Sequence, residues 1–380
     1  MLMNENSIIP FYQTSGKQII KAEDCYLYDR EGKKYTDFES GVWCTNLGHC
    51  HKSINLVMEK QIREVIHLGI KFLNSQAEEL SASLLDKLGM REGKSAFLSS
   101  GSEAVNLAIT LAQKITDREK VLKLDTSFLS ALGLGAISEG NKSLLNVPFD
   151  SSAYFSNIDF KEIAAFIMEP GTSSGAIHFP SSGFIDTITA EVRKNGGLMI
   201  VDEVTTGFGR TGKWFGFQHY NLQPDIVAVG KALGNGYPVS AVAVTKKVSD
   251  LFDKHYFRYA QSHQNDPLGC AIGIEVIKLL SESGVVEQSQ FKGRYFLAQL
   301  AQLKGNHSDK IKDVRGRGLM LGLELMPQID VEKLNSALFD NGAVIGMKEK
   351  TLRFMPPLTI ERTEIDNVIQ MIDKLLKAKN

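Results

Sequence analysis

Two reactive side chains in this 380-residue sequence each follow a short apolar run: Asp202 comes after LMIV, and Lys231 comes after DIVAVG. Both runs are rich in β-branched and aliphatic residues without clean alternation, which predicts strands buried on both faces of a sheet. Ligands of open α/β sheets bind beyond the carboxyl ends of the strands, so we expect both side chains in one crevice.

This pair of residues suits a particular chemistry. Burial disfavours the charged form of a lysine and lowers its pKa, which leaves an amine able to attack a carbonyl and form a Schiff base. A carboxylate at the neighbouring strand end can pair with a protonated nitrogen of a heterocycle. An imine partner and a pyridinium partner are the two groups that pyridoxal 5′-phosphate (PLP) requires of a protein.

The stretch SSGSEAVNLAI, from Ser99 to Ile109, could bind the phosphate of such a cofactor. Gly101 allows the backbone to approach closely, Ser102 adds a hydroxyl, and free N–H groups at the helix start face the anion. Taken alone, the stretch predicts only a capped helix N-terminus. Together with Asp202 and Lys231, in that order, it favours a PLP site.

The elements around these residues predict an α/β domain. Between residues 94 and 246, apolar runs that resemble buried strands alternate with stretches that have apolar residues at helical spacing. The strand candidates are KSAFLSS, EKVLKLD, IAAFIME, GGLMIVDE, DIVAVG and VSAVAVTK, and the helix candidates are SEAVNLAITLAQKITD, SGFIDTITAEVRKNG and LGCAIGIEVIKLLSES.

The two ends of the chain predict a smaller unit. The N-terminal IIKAEDCYLYDREGKKYTDF predicts a hairpin around the turn DREGK, and the C-terminal part predicts long helices with two short strands, GLMLGLEL and TLRFMPPL. We therefore expect residues 1–45 to form the N-terminal segment of a small domain, residues 46–260 a large PLP-binding α/β domain, and residues 261–380 a C-terminal small α+β domain.

The composition excludes several other classes of protein. With 43 basic and 44 acidic residues and 43% hydrophobic content, the chain is globular and has no electrostatic footprint for nucleic acid or an anionic membrane. No apolar run approaches the ~18 residues of a membrane span, and MLMNENSIIPFYQTSG does not resemble a secretory signal. Four cysteines without a CxxC pair indicate reduced thiols. We expect a soluble, cytoplasmic protein.

Two further motifs fit their usual roles poorly. GFGRTG satisfies GxGxxG, but KWFGFQHYNLQPD follows it where a dinucleotide site needs a helix, and Trp214 stands where a P-loop needs Ser or Thr. His49 and His51 in GHCH have no further ligands at metal-binding spacing. We therefore expect loop histidines with local hydrogen bonds, and no metal.

Longer stretches of the sequence resemble a known family. They are similar to the ordered motifs of class III PLP-dependent aminotransferases, which include acetylornithine, ornithine and ω-amino-acid aminotransferases. The resemblance covers about residues 15 to 375 and implies fold type I, with a large α/β domain around a central, mostly parallel sheet and a smaller α+β domain from both chain ends. The stretches are YLYDREGKKYTDFESGVWCTNLGHCH, SSGSEAVNLAI, IMEPGTSSGAI, LMIVDEVTTGFGRTGKWFGFQHYNLQPDIVAVGKALGNGYPVSA, DPLGCA, VRGRGLMLGLEL and LRFMPPL.

The resemblance assigns roles to the residues already singled out. Lys231 would hold PLP as a Schiff base and, once released by the substrate, move the proton during catalysis. Asp202 would keep the ring nitrogen protonated, and Val204 would pack against one face of the ring. Gly101 and Ser102 would bind the phosphate.

At three positions the chain departs from the family pattern. LDTSFLSALGLGA replaces the usual aromatic-His-Gly motif, so Phe128 or Leu129 is expected to stack on the PLP ring. Thr205 stands where many members have a Gln that touches the ring hydroxyl, and the shorter side chain could act through water. Ser262, in SHQNDPL, replaces a Thr that reaches the phosphate of the partner subunit, which implies a homodimer with shared active sites.

The substrate pocket is implied by two residues. Arg353 in LRFMPPL matches the arginine that fixes a substrate carboxylate through a planar, bidentate pair; a surface ion pair is the alternative. Trp43 in SGVWCTN resembles the aromatic residue that lines the pocket of ω-amine transaminases; a buried core aromatic is the alternative. EPGTSSG lacks the Glu that ornithine-type enzymes place near the arginine, so the donor stays open.

The expected activity is PLP-dependent, ping-pong transfer of an amino group from an amino-acid or ω-amine donor to a 2-oxo acid such as 2-oxoglutarate or pyruvate. A PLP-dependent racemase, epimerase or aminomutase of the same family is the alternative, and consumption of a 2-oxo acid distinguishes the two. A non-catalytic protein of this fold is a third possibility, which intact Lys231, Asp202 and Arg353 disfavour.

Overall fold

The computed structural model describes residues 8–9, 11–12, 14–136, 142–172 and 174–378. The strands are β1 (Ile19–Glu23), β2 (Tyr26–Asp29), β3 (Lys34–Asp37), β4 (Lys94–Leu98), β5 (Lys120–Leu124), β6 (Leu144–Val147), β7 (Ile163–Met168), β8 (Leu198–Asp202), β9 (Ile226–Val229), β10 (Ser240–Val244), β11 (Ile311–Arg317), β12 (Met320–Leu325), β13 (Ala343–Val344), β14 (Gly346–Lys348) and β15 (Thr351–Phe354). The helices are α1 (Ser40–Trp43), α2 (Lys52–Glu64), α3 (Ser75–Leu88), α4 (Gly101–Thr116), α5 (Ser182–Lys194), α6 (Lys246–Lys254), α7 (Pro267–Glu282), α8 (Val285–Asn306), α9 (Val331–Asp340) and α10 (Arg362–Lys377).

A seven-stranded sheet forms the centre of the molecule, in the order β4-β10-β9-β8-β7-β5-β6. Its strands run parallel except β10, which pairs antiparallel with both β4 and β9. All six strands predicted from apolar runs lie in this sheet, which confirms the α/β prediction. The sequence did not predict β6, because this edge strand is only partly buried and lacks a continuous apolar run.

Helices cover both faces of this sheet, which explains why its strands lack an alternating pattern. In β8, Ile200 packs into one buried cluster with residues of α4, whereas Met199 and Val201 pack into the opposite cluster with residues of α3, α5 and α7. Successive strand residues point to opposite faces, so a sheet covered on both sides needs apolar residues throughout.

Two four-stranded sheets lie outside the central sheet, and the first of them joins both chain ends. In the order β1-β2-β3-β13, the strands β1, β2 and β3 form an antiparallel meander, and β13 pairs parallel with β3. The predicted N-terminal hairpin is therefore confirmed for β2 and β3 and is extended by β1.

The second small sheet, in the order β11-β12-β15-β14, is antiparallel throughout. It contains both strands predicted in the C-terminal part of the chain. Helix α7, which follows residue 261, packs against α2 and α3, and the domain boundaries stay a prediction. Within the described residues, none of the helices combines the length and apolarity needed to span a membrane.

Candidate active site

Two neighbouring parallel strands bring Asp202 and Lys231 to the same edge of the central sheet. Asp202 is the last residue of β8 and lies opposite Ala228 of β9, and Lys231 begins the 3₁₀ turn Lys231–Gly234 just beyond β9. Lys231 has a φ of 43°, a left-handed conformation that side chains other than glycine adopt rarely. The expected proximity of Asp202 and Lys231 therefore follows from the pairing of β8 with β9.

The electrostatics at this edge follow mainly from burial. Burial lowers the pKa of Lys231, against the opposing effect of the nearby Asp202 carboxylate, and its Nζ donates a hydrogen bond to Thr205 Oγ1 at 2.5 Å. Burial raises the pKa of Asp202 well above its ordinary value, and the negative charge of Glu169 adds to the effect. The Val204 N–H, donated to Asp202 Oδ1 at 3.0 Å, acts in the opposite direction.

The N-terminus of α4 lies beside this edge. Ser100 caps the helix through a reciprocal capping box with the glutamate three residues on, which confirms the capped helix start. Gly101 packs so closely that a Cβ there would lie 2.7 Å from Val204 Cγ1. Ser102 follows in the first turn, and its Oγ accepts a hydrogen bond from Ala131 N at 3.1 Å. The predicted phosphate-binding residues thus lie next to the predicted ring-binding valine.

Trp43 contacts both cationic side chains of the site. Its ring centre is 4.3 Å from Lys231 Nζ and 5.1 Å from Arg353 Cζ, and the residue is 6% exposed. A cation near the face of an aromatic ring is attracted by the ring quadrupole. The structure therefore brings Lys231, Trp43 and Arg353 together, although they come from three separate parts of the chain.

A tight turn after β3 positions Trp43. Asp37 holds this turn, because its Oδ1 accepts the Glu39 N–H and its Oδ2 accepts the Gly41 N–H, both at 2.8 Å. Asp37 Oδ2 also lies 2.8 Å from His49 Nε2, so this histidine of GHCH has the local hydrogen bond expected for it. Three residues of the turn have positive φ angles: Ser40, Gly41 and Trp43.

Arg353 lies on β15 with glycines opposite it on both neighbouring strands, Gly322 and Gly346. Its Nη2 is 3.8 Å from Glu39 Oε1, with the two side chains 12% and 26% exposed. Sequence reasoning missed Glu39. Its only signal is an acidic residue inside the motif DFESGVWC, and nothing local relates it to an arginine at the other end of the chain.

Sequence reasoning also missed Arg210, the arginine of GFGRTG. Its guanidinium is fully buried, and burial lowers its pKa to about 9. Nη1 donates to the carbonyl oxygens of Leu319 at 2.9 Å and Pro356 at 2.6 Å, and Nη2 donates to Asn46 Oδ1 at 2.6 Å and Ser40 Oγ at 3.2 Å. The GxGxxG-like motif therefore carries a cation that joins the Trp43 turn to the segments around β12 and β15.

Glu203, next to the strand-end aspartate, is the third residue that sequence reasoning missed. Burial raises its pKa to about 7, although its carboxylate accepts the N–H groups of Gly216 at 2.8 Å and Phe217 at 2.6 Å and the hydroxyl of Thr206 at 2.6 Å. Its contacts anchor the loop that leads away from β8.

Phe128 and Ser262 are the remaining predicted residues. The Phe128 N–H donates to Glu169 Oε1 at 2.9 Å, and the residue is 46% exposed. Leu129 packs into the buried cluster beneath α4, so Phe128 has the accessible side chain of the two alternatives for ring stacking. Ser262 is exposed on the surface, in the segment between α6 and α7.

A half-buried lysine and a buried carboxylate at adjacent strand ends, on a mostly parallel sheet with a smaller unit from both chain ends, define a transferase of fold type I. The chain belongs to the family described as Aminotransferase class-III, which it matches over residues 12–144 and 137–376. It is an aminotransferase.

Individual relatives resemble the chain over nearly its whole length. It is 32% identical to the acetylornithine aminotransferase of Caldanaerobacter subterraneus subsp. tengcongensis, with 94% of each chain covered. It is also 32% identical to that of Aquifex aeolicus, with 99% of each covered. Among solved structures, the acetylornithine aminotransferase from Elizabethkingia anophelis superposes with a TM-score of 0.87 at 27% identity, covering 97% of this chain and 96% of the other.

Proposed function

We propose that this aminotransferase uses PLP at Lys231 and Asp202, and that Arg353 binds the carboxylate of its substrates. The observation that carries the proposal is the arrangement around Trp43, whose ring centre lies 4.3 Å from the amine nitrogen of Lys231 and 5.1 Å from the guanidinium carbon of Arg353. An α-carboxylate and the carbon that carries the amino group are adjacent in an amino acid, so a carboxylate site must lie close to the reactive lysine.

The residues at the sheet edge fit PLP. A half-buried lysine with a lowered pKa suits a carbonyl partner, and a buried carboxyl with one oxygen held by a backbone N–H suits a ring nitrogen. Val204 occupies the space that a Cβ on residue 101 would need. Because residue 101 is a glycine, the N-terminus of α4 can lie close to Val204, and hence to both the phosphate and the ring. When bound, PLP supplies an electron sink for the substrate carbanion.

The protein side chains then perform three tasks. Burial lowers the pKa of Lys231, which favours the neutral amine that can accept and return a proton at the substrate carbon. Trp43 shields this amine on one side and limits access of water. Arg353 holds the carboxylate by a bidentate pair and thereby orients the substrate.

The donor is proposed to carry a single carboxylate that the protein binds through Arg353. N-acetylornithine has one free carboxylate and is a donor of this class, and the names of the relatives at 32% identity favour it. The segment LDTSFLSALGLGA contains no arginine, so the site offers no second carboxylate contact there.

We further infer that two copies associate with Ser262 facing the partner's site. Support comes from exposed apolar side chains near the segment that holds this serine: Ile70, Phe72 and Leu73 are 54%, 68% and 92% exposed. Light scattering during size-exclusion chromatography would test the association, and Leu73→Asp should shift the protein to the monomer mass.

Absorbance spectroscopy of the purified protein tests the cofactor and the reaction together. The visible band of lysine-bound PLP should appear and then bleach when a true donor is added without acceptor, and a 2-oxo acid should restore it. Alanine, ornithine, N-acetylornithine and a primary amine without a carboxylate are the donors to compare. A band that no donor bleaches, with racemisation of an amino acid, would instead identify a racemase. No band after addition of PLP would contradict the proposal.

A further inference from the structure

We propose that His67, His263 and Asp266 form a binding site for one divalent transition-metal ion of the zinc class, separate from the active site. The ion links the loop after α2, which carries His67, to the segment that leads into α7. The site depends on these three side chains alone and is independent of the proposed PLP chemistry.

The three side chains meet at the Asp266 carboxylate. His67 Nδ1 lies 2.6 Å from Asp266 Oδ1, and His263 Nδ1 lies 2.5 Å from Asp266 Oδ2. The two imidazole ring centres are 4.8 Å apart, and the three candidate ligand atoms all lie within 4.8 Å of one another. Two imidazole nitrogens and a carboxylate oxygen are a ligand set that suits zinc and its neighbours in the first transition series.

Asp266 does not perform the usual task of a residue at its position. It is the N-cap residue of α7, and Pro267 follows it at the start of the helix. An N-cap aspartate normally accepts hydrogen bonds from the free N–H groups of the first turn, but the Asp266 side chain accepts none of them. Both carboxylate oxygens contact histidines instead. The charge is therefore placed where an ion can use it.

Asn265 fixes the backbone in front of Asp266. Its N–H donates to Phe97 O at 3.0 Å, and its Oδ1 accepts the Phe97 N–H at 2.9 Å, so it is paired twice with β4. Its carbonyl oxygen accepts a hydrogen bond from Asn74 Nδ2 at 2.5 Å, at the end of the loop that carries His67. The two parts of the site are thus held together by protein contacts, which prepares the ligands for an ion.

Solvent reaches the site from the side of the histidines. The side chains of His67 and His263 are 43% and 62% exposed, whereas that of Asp266 is 14% exposed. A cavity of about 190 Å³ adjoins the site, and its lining includes His263 and Asp266. An ion can therefore enter from solvent, and water can occupy the coordination positions that the protein leaves open.

Metal binding replaces the two hydrogen bonds with metal–ligand bonds. A neutral imidazole coordinates through the nitrogen without a proton, so each histidine carries its proton on Nε2 when Nδ1 binds the ion. Zinc bonds of about 2.0–2.1 Å in tetrahedral geometry hold ligand atoms about 3.3 Å apart, so each imidazole must move back by less than about 1 Å. Half-exposed side chains have room for this movement.

The ion joins two surface segments that are distant in sequence. His67 lies 199 residues before Asp266, which is why spacing along the chain did not predict a metal here. His263 directly follows Ser262, and His67 precedes the exposed apolar residues Ile70, Phe72 and Leu73. Amide exchange in both segments should slow when the ion binds, because their opening then requires loss of a ligand.

Calorimetric titration with Zn²⁺ tests the site, in tag-free, PLP-loaded enzyme freed of excess PLP. A Cys50→Ser background removes an exposed thiol that would bind zinc separately. One ion per chain should bind with a Kd on the order of 1 µM. An excess of Mg²⁺ or Ca²⁺ should not displace it, because these ions prefer oxygen ligands.

Variants of the ligands then identify the site. His67→Ala, His263→Ala and Asp266→Asn should each weaken Zn²⁺ binding about 30-fold or more, since each removes one ligand. Two matched controls should leave the Kd within about twofold. His255→Ala removes an exposed histidine outside the group, and Asp253→Asn removes an exposed carboxylate that lies 3.8 Å from Lys94.

The outcomes decide the site and the link separately. No Zn²⁺ binding in the Cys50→Ser background, or binding retained in both histidine variants, would overturn the site. Hydrogen–deuterium exchange with and without Zn²⁺ tests the link, and unchanged exchange over residues 65–73 and 261–266 would overturn it. None of these readouts depends on transamination, so failure of the proposed function would leave them unaffected.

Discussion

Two sides of the site, both in contact with the Trp43 ring, are built in different ways. On one side, Asp202, Thr205 and Lys231 come from consecutive strands of the central sheet and the loop between them. On the other, Glu39 and Arg353 come from opposite ends of the chain and meet because the backbone of Phe38 bonds to Val344 and Met355, which joins the two small sheets. Neighbouring parallel strands bring their carboxyl ends together in any protein that contains them. The contact between Glu39 and Arg353 depends instead on tertiary structure specific to this chain.

Both sides nevertheless share one physical feature. Lys231 and Trp43, whose side chains face each other, both have positive φ angles, 43° and 62°. Such conformations cost of order 1–3 kcal/mol each and persist where surrounding contacts over-determine them. Around Lys231 the adjacent strands provide those contacts, and around Trp43 they come from Asp37 and the buried cation of Arg210. The comparison therefore predicts that mutations on the first side affect chemistry, and those on the second side affect substrate choice and stability.

The largest effect is expected for Lys231→Ala. Without the amine, the protein has neither a covalent partner for PLP nor a base at the substrate carbon, so turnover should fall about 10⁴-fold or more and the visible band of lysine-bound PLP should vanish. Absorbance and steady-state kinetics check both. Lys246→Ala, which removes an exposed lysine paired with Asp250 at 2.8 Å, is the matched control. Retained turnover would refute the assignment of the reactive lysine.

Asp202→Asn should lower kcat by about 10³-fold while PLP affinity changes far less. An amide cannot keep a pyridine nitrogen protonated, yet it can still accept the Val204 N–H, and the residues at the N-terminus of α4 are unaffected. Rapid-reaction kinetics and a titration of the apoenzyme with PLP separate rate from affinity. If both fell to the same extent, the pairing of Asp202 with the ring nitrogen would be wrong.

Much of the first side could be predicted from the sequence. Asp202 and Lys231 each end an apolar run, and the run itself predicts the strand, so position along the chain also gives position in the sheet. The capped start of α4 is likewise a local pattern, since Ser100 and the glutamate three residues on satisfy each other. Local signals sufficed because each contact joins residues within one or two neighbouring elements.

The second side could not be predicted, for two physical reasons. Glu39 and Arg353 are brought together by docking of sheets that no short-range pattern encodes. Arg210 was hidden by its motif: glycines around a basic residue suggest phosphate binding, but here the guanidinium is fully buried and binds backbone carbonyls. Only burial distinguishes such a residue from a ligand-binding one, and burial of an arginine is not readable from sequence.

Arg210→Met tests whether this cation holds the second side together. Removing it leaves its buried acceptors without a donor, so the free energy of unfolding should fall by about 3–5 kcal/mol. The KM for a carboxylate-bearing substrate should rise as well, because the turn that carries Glu39 and Trp43 loosens. Arg91→Met, which removes an exposed partner of Asp86, should cost less than about 1 kcal/mol. Equal losses in the two variants, measured by denaturant titration, would remove Arg210 from this role.

Glu203 should make stability depend on pH in a defined direction. Its pKa in the folded protein is raised to about 7 from an ordinary value of 4.5, so the folded state holds a proton that the unfolded state has lost. Its contribution to stability is therefore present at low pH and is lost as pH rises from about 4.5 through about 7, by roughly 2–3 kcal/mol. Glu203→Gln should flatten this slope, as judged from unfolding free energies at pH 5 and 8. An unchanged slope would show that another group titrates.

The smallest effect is expected at the contact between Thr205 and Lys231. Thr205→Val keeps the shape but removes the hydroxyl that accepts a hydrogen bond from Lys231 Nζ at 2.5 Å, so kcat/KM should fall about three- to tenfold. The hydroxyl favours the ammonium form, so its loss should lower the pKa of Lys231 further and shift the pH dependence of PLP capture by the apoenzyme toward lower pH. Thr205→Ser should restore both. If Thr205→Ser did not restore them, Thr205 would act through packing of its side chain at the strand end. In that case even the side of the site that sequence predicts best would depend on tertiary packing.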